Sequence, residues 1–315
     1  MSAGAGASVE FCGLRLAHPI INGSGTFDAI AARRAFGEQL RERFPFAAYV
    51  SKTITLAPRI GNPPPRLWEA PAGLINSIGL PNKGLDGYLR EDLPQLAEIG
   101  IGAAAGAGVD GRGVPLITNV MGASAEELAT LLEACDARSE IAAIELNVSC
   151  PNVETGLDIG ADPRQLEQVV RAVRQRTAKP MIVKLTPNTA DVAACALAAE
   201  QGGADAVSLI NTLRAMALAP RTGAPWLGGG TGGLSGPAIR AVALAQVAAV
   251  AARVAIPVVG MGGVQSAAHA RDLLDVGATL VAVGTESFRD PAAAARIARE
   301  LAQAASGRQR SGLPA

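Results

Sequence analysis

Aromatic side chains make up only 3% of this 315-residue chain, and histidine occurs twice. Lys+Arg and Asp+Glu stand at 28 each, so the formal net charge is zero. With no Lys/Arg-rich run to supply a local basic footprint, no nucleic-acid partner is expected. The four cysteines, Cys12, Cys135, Cys150 and Cys195, are no closer than 15 positions and form no C-x-x-C or Cys/His cluster. A zinc site or an iron–sulfur cluster held by this chain alone is therefore not expected, and scattered thiols fit a reducing compartment. No cationic and apolar leader opens the sequence, and the longest apolar tract, 241–260, is broken by Gln246, Arg253 and Pro257. That tract reads as a helix followed by a strand rather than a membrane span, so the expected setting is the cytoplasm, with no membrane contact. The absence of G-x-x-x-x-G-K-[ST] excludes a Walker nucleotide site.

What is present is an alternation. Short β-branched or apolar runs occur at 19–21, 46–50, 116–118, 141–146, 181–183, 206–210, 256–259 and 280–283. Stretches of helical period follow near 28–43, 84–98, 124–138, 163–177, 190–202, 237–253, 266–276 and 291–305, with start signals at Ser124, Asp162-Pro163, Ser266 and Asp290-Pro291. Eight strand–helix units predict a (β/α)₈ barrel in one domain, 1–315, with the barrel proper at about 17–305. A doubly wound open sheet is the competing arrangement. Residues 9–16 read as a hairpin under the barrel floor, and 306–315 as a disordered tail.

Each run ends in a polar group or a glycine. In order these are Asn22-Gly23-Ser24-Gly25, Ser51-Lys52-Thr53, Asn119, Asn147-Val148-Ser149-Cys150, Lys184, Asn211-Thr212, Gly260-Met261-Gly262-Gly263 and Gly284-Thr285. In a barrel these ends converge on the face where active sites of this fold are built. Gly262-Gly263, Gly284-Thr285 and the stretch 228–236 (GGGTGGLSG) each precede a helix, where free N–H groups can face an anion, so a phosphate-bearing ligand is expected. Lysine occurs only at 52, 83, 179 and 184, and two of the four stand at strand ends. A lysine in a dry pocket needs an anion or an electron-rich ring, which leaves two readings open: an electron-accepting ligand, or a Schiff-base lysine at Lys184.

Several segments carry a specific likeness: residues 51–84, ELNVSCPN at 145–152, VKLTPN at 183–188, INT at 210–212, GGLSGP at 232–237, GMGG at 260–263 and VGTESF at 283–288. Together they resemble the catalytic subunit of dihydroorotate dehydrogenase of class 1, over about 9–305. Type B is the nearest match, through the Val153-Glu154-Thr155-Gly156 that follows CPN, the long loop after INT, and GGLSG. The resemblance implies one FMN per chain and oxidation of (S)-dihydroorotate to orotate in pyrimidine (UMP) biosynthesis. It implies FMN contacts at Ser24, Gly25, Lys52, Thr53, Asn119, Asn147, Lys184, Ile210, Gly236, Gly262, Gly263, Gly284 and Thr285. Substrate contacts are implied at Lys52, Asn76, Ser77, Ile78, Gly79, Leu80, Asn147, Asn152, Asn211 and Thr212, with no metal. It further implies a homodimer core within a heterotetramer, whose electron-transfer subunit carries FAD and a 2Fe–2S cluster and passes electrons to NAD. A fumarate-reducing homodimer of type A and a related dihydropyrimidine dehydrogenase are the alternatives.

Desaturating a C–C bond beside a carbonyl needs a base for the carbon proton and an acceptor for the hydride. Cys150 is the expected base, with flavin N5 as acceptor, because a thiol of ordinary pKa ~8.5 suits proton transfer under mildly alkaline conditions. Asn side chains suit a ring of alternating N–H and C=O groups, since each amide offers donor and acceptor. The proline-rich loop 53–82 is expected to form a substrate wall, and 150–161 a lid carrying Cys150. Asn147-Val148-Ser149 matches the N-glycosylation pattern by chance.

Overall fold

The computed structural model describes residues 8–102, 113–148 and 158–311. Eight short strands form its centre: β1 (Ile20–Asn22), β2 (Tyr49–Val50), β3 (Leu116–Val120), β4 (Ile141–Asn147), β5 (Met181–Lys184), β6 (Ala206–Leu209), β7 (Val258–Met261) and β8 (Leu280–Val283). Each falls on one of the eight apolar runs. Strands β2 to β8 pair in chain order, all parallel, and β8 pairs with β1 through Val281–Ile20, Ala282–Ile21 and Val283–Asn22. The structure is therefore a nearly closed (β/α)₈ barrel, and an open doubly wound sheet is ruled out.

The seam between β1 and β2 is closed by one backbone bond, from the Ala47 N–H to the Ile20 carbonyl at 2.9 Å, and by a side chain. Asn22 Oδ1 accepts the Val50 N–H at 2.8 Å, and Asn22 Nδ2 donates to the Val50 carbonyl at 2.7 Å. This fully buried amide offers one donor and one acceptor, as a backbone peptide does, and so fills a missing rung of the ladder. The sequence reading had placed Asn22 among the polar groups of the rim, whereas here it locks the wall.

Strands buried on both faces need apolar residues throughout, which is why their runs are continuous rather than alternating. The inner cluster comprises Ile21, Val50, Ile117, Ala143, Ile182, Ala206, Val259, Leu280 and Ala282. Phe11, Leu14 and Leu16 join it from below. They come from the antiparallel hairpin Val9–Phe11 and Leu14–Leu16, which plugs the floor as its sequence predicted. The outer helices start on side-chain caps: Asp28, Ser124, Asp162, Asp191 and Ser266 each accept a first-turn N–H.

Three features differ from expectation. The helix read over 28–43 splits into Ala29–Phe36 and Gln39–Glu42, because Gly37 turns the chain at φ +60°. The last helix runs Ala293–Ser311, past position 306, where a disordered tail was expected to begin. A four-stranded sheet that the sequence did not announce stands beside the barrel. It combines Leu67–Ala70 and Gly73–Asn76, from the loop after β2, with Leu213–Ala215 and Gly232–Ser235, from the loop after β6.

Candidate active site

Side chains alternate across a strand, so a residue two places after an interior one also faces the interior. Ile117, Ala143, Ile182 and Ala206 lie in the inner cluster. The same faces therefore carry Asn119, then Glu145 and Asn147, then Lys184, then Ser208. All five are buried. Asn119 stands beside Glu145 in the β3–β4 register, and Lys184 stands beside both Asn147 and Ser208. The floor of the barrel is thus apolar, and its polar layer begins one pleat below the carboxyl ends. Asn119 Nδ2 donates to Glu145 Oε2 at 2.5 Å, and Ser208 Oγ donates to Glu145 Oε1 at 2.7 Å. Asn147 Nδ2 lies 3.5 Å from Thr53 Oγ1, which ties β4 to the segment after β2. Asn119 Oδ1 is buried with no hydrogen-bond partner among the described residues. A buried amide oxygen left so is costly unless a ligand completes it.

The glycine-rich ends converge. Gly236 (φ +88°) begins the helical segment at Pro237, and Gly263 (φ +68°) follows β7. A Cβ on Gly263 would stand 2.9 Å from the Gly236 carbonyl oxygen and 2.8 Å from Arg240 Cβ, and one on Gly236 would stand 3.5 Å from Thr285 Cγ2. Only glycine allows backbones this close in these conformations. Thr285 Oγ1 donates to Ser235 Oγ at 2.9 Å, and Gly284 passes under Gly23 at the end of β1. Gly262 packs between Ala243 and Ile210. Ser24 Oγ donates to the Ser51 carbonyl at 2.8 Å, which brings Gly25 to the same rim. The predicted cradle residues are therefore contiguous.

The remaining predicted residues face one another across the added sheet. Asn76 Nδ2 donates to the Gly233 carbonyl at 3.2 Å, so the loops after β2 and β6 meet at that position. Ser77 is buried, and its Oγ accepts from Asn62 Nδ2 at 3.0 Å. Gly79 and Leu80 both take positive φ, folding the chain back over Asn62. Thr212 packs its side chain against Gly233, while its N–H donates to Asn211 Oδ1 at 2.8 Å. Ile78 is half-buried beside them. Lys52 stands in the mouth with part of its side chain in water. Desolvation lowers its ammonium pKa from the ordinary value and the Arg66 guanidinium lowers it further, against the opposing pull of Asp28 and Asp92.

Cys150 and Asn152 lie outside the described residues, as does most of the expected lid 150–161. Asn147, the asparagine of the glycosylation pattern, is buried inside the barrel wall. Sequence reasoning missed Glu145 and Ser208 as members of the polar layer. The signal was available: an acidic residue in the middle of a buried parallel strand, in phase with Asn147, is out of place among apolar neighbours. Among the described residues no His/Cys/Asp/Glu group has metal-binding spacing, and no helix is long and apolar enough to cross a membrane.

Fold and mouth together define a (β/α)₈-barrel enzyme with a polar layer capped by a glycine cradle. A family model described as dihydroorotate dehydrogenase matches residues 7–304. The chain is 42% identical over 300 residues to a protein of Citrifermentans bemidjiense, covering 94% of this chain and 92% of the relative. It is 43% identical over 300 residues to one of Desulforudis audaxviator, covering 94% and 91%. With one of Geobacter sulfurreducens it shares 42% identity over 298 residues, covering 93% and 91%. All three relatives are named dihydroorotate dehydrogenase B (NAD(+)), catalytic subunit. The chain belongs to the dihydroorotate dehydrogenase family and is an oxidoreductase.

Proposed function

We propose that this chain is the FMN-containing catalytic subunit that oxidises (S)-dihydroorotate to orotate, passing electrons through an FAD- and 2Fe–2S-bearing partner subunit to NAD+. The observation that carries the reading is the interior layer Asn119–Asn147–Lys184, with one unpartnered buried carbonyl, directly beside a contiguous glycine cradle. The relatives' names support the substrate, the acceptor and the existence of a partner, and they do not favour a fumarate-reducing enzyme.

The residues present fit FMN. Its phosphate suits Gly236, Gly262, Gly263, Gly284 and Thr285, and its ring suits Ser24, Gly25, Lys52, Thr53, Asn119, Asn147, Lys184 and Ile210. When bound, FMN supplies the two-electron acceptor for the hydride that leaves the substrate. The chain supplies the rest. The Lys184 ammonium, fixed on β5 next to Asn147, offers a positive charge where electron density accumulates. Lys52, with backbone N–H groups of 78–80, holds the substrate carboxylate. Asn76, Asn147, Asn152, Asn211 and Thr212 match the alternating donors and acceptors of the pyrimidine ring. Cys150 Sγ, three residues past Asn147, takes the carbon proton. A homodimer of such chains forms the core of the assembly.

The reading is tested by measuring orotate formation from (S)-dihydroorotate by the FMN-reconstituted chain. Turnover is expected with an artificial dye acceptor, and with NAD+ only once the partner subunit is added. Turnover supported by fumarate, or a preference for dihydrouracil, would overturn it.

A further inference from the structure

The barrel interior holds a carboxylate that the proposed reaction does not use. Glu145 is 3% exposed, inside β4, and held by two neutral donors, Asn119 Nδ2 at 2.5 Å and Ser208 Oγ at 2.7 Å. Its neighbour in the β4–β5 register is the apolar Ile182. Burying a carboxylate costs desolvation, and exchanging a buried charged group for an apolar one of similar volume is often neutral or stabilising. Stability therefore does not account for an acid at this position. Its effect on Asn119 does. Both Glu145 carboxyl oxygens accept here, Oε2 from the Asn119 NH₂ and Oε1 from the Ser208 hydroxyl, so the donor end of the amide is taken and Oδ1 is left as its open end. That oxygen is buried and unpartnered among the described residues. Two other buried side-chain atoms share that state: Gln246 Oε1 in the helix Arg240–Ala251, and Ser287 Oγ in the short helix Glu286–Arg289 that follows Thr285.

We propose that Glu145 is a positioning residue: it locks the Asn119 amide with its carbonyl toward the ring-binding space, where that carbonyl accepts the N3–H of the flavin. Oxidised isoalloxazine carries a single ring N–H, so an acceptor fixed in this way selects one ring edge and one orientation. The inference rests on the FMN reading of the site.

The test compares FMN with N3-methyl-FMN, titrated into the apo-protein and followed by quenching of flavin fluorescence. Wild type is expected to bind FMN at least about tenfold more tightly than the N3-methyl form, the usual cost of an unmet buried partner. Glu145→Gln places an amide that both donates and accepts against Asn119, which then turns freely. Its affinity for FMN should fall about tenfold while N3-methyl-FMN binding stays within about twofold, so the preference collapses. Glu145→Met, which removes the acceptor without leaving a buried charge, should collapse it in the same way and serves if the Gln variant does not fold. Ser208→Ala keeps the Asn119–Glu145 bond and should keep the preference within about twofold. An undiminished preference in both Glu145 variants overturns the proposal, as does a wild type that binds FMN without discriminating. A wild type that binds neither flavin overturns the FMN reading itself.

Discussion

Replacing Asn22 with alanine should weaken the barrel at its one seam, leaving the Ala47 N–H to the Ile20 carbonyl as the backbone bond across it. The Asn22 amide meets the Val50 N–H at 2.8 Å and the Val50 carbonyl at 2.7 Å, and it also donates to the Gly23 carbonyl at 3.1 Å. On its other side β2 already pairs with β3, where the Tyr49 and Ser51 N–H groups donate to Pro115 and Ile117. The variant thus leaves the Val50 N–H and C=O facing β1 with no partner, in a region without solvent. At ~1–3 kcal/mol for each buried group left unmet, the expected loss is about 3–5 kcal/mol of unfolding free energy. Asn22→Asp should be informative as well. The new carboxyl is driven toward its neutral form by burial, so its folded pKa rises above the unfolded value. The penalty is then absent below about pH 3.9 and grows as the pH rises through that value. Urea denaturation with far-UV detection measures the loss, and amide exchange at Val50 localises it. A loss below about 1 kcal/mol for Asn22→Ala, with Val50 still protected, would refute the idea that this side chain completes the sheet.

Phe11→Ala should open a cavity beneath the inner cluster and cost about 3–5 kcal/mol, with FMN affinity unchanged because the floor lies far below the cradle; a matching loss of flavin would show that floor and mouth are coupled. Burial lowers the His18 pKa to about 4, and its Nδ1 accepts the Ile20 N–H at 3.3 Å. Neutral His18 therefore stabilises the fold above the unfolded pKa of ~6.5, and that stability, roughly 2–3 kcal/mol, is lost as the pH falls from there toward 4. His18→Asn should flatten this part of the pH–stability curve, and an unchanged curve would refute the assignment. Lys184→Ala should weaken FMN binding by about tenfold or more, as expected for a lost charge-assisted contact, and should slow flavin reduction; full occupancy with normal reduction would count against its role.

The barrel was legible because its signal is redundant. Eight buried runs each had to be apolar on both faces, and Asp or Ser caps marked the helices that follow, so an error in one unit leaves the others standing. The convergence of Gly236, Gly263, Gly284 and Thr285 was legible for the same reason, because the topology of the fold forces strand ends together. What escaped depends on single contacts between distant positions. Asn22 reads as a rim residue until its ladder to Val50 is seen, and Glu145 reads as part of a motif until its bonds to Asn119 and Ser208 are. The added sheet pairs Gly73–Asn76 with Gly232–Ser235, segments more than 150 positions apart and rich in glycine, where neither periodicity nor β-propensity gives a signal.

The central claim is that a flavin held at this rim and the sulfur of Cys150 act on neighbouring carbons of one substrate. Rapid mixing of the FMN-loaded chain with (S)-dihydroorotate, without oxygen, tests it most directly. Wild type should lose its visible flavin absorbance in a single turnover and release orotate. Cys150→Ala should keep its FMN yet reduce about 10²–10⁴-fold more slowly, the usual loss on removing a general base. Reduction at the wild-type rate in the alanine variant, or a wild type whose flavin stays oxidised, would contradict the account.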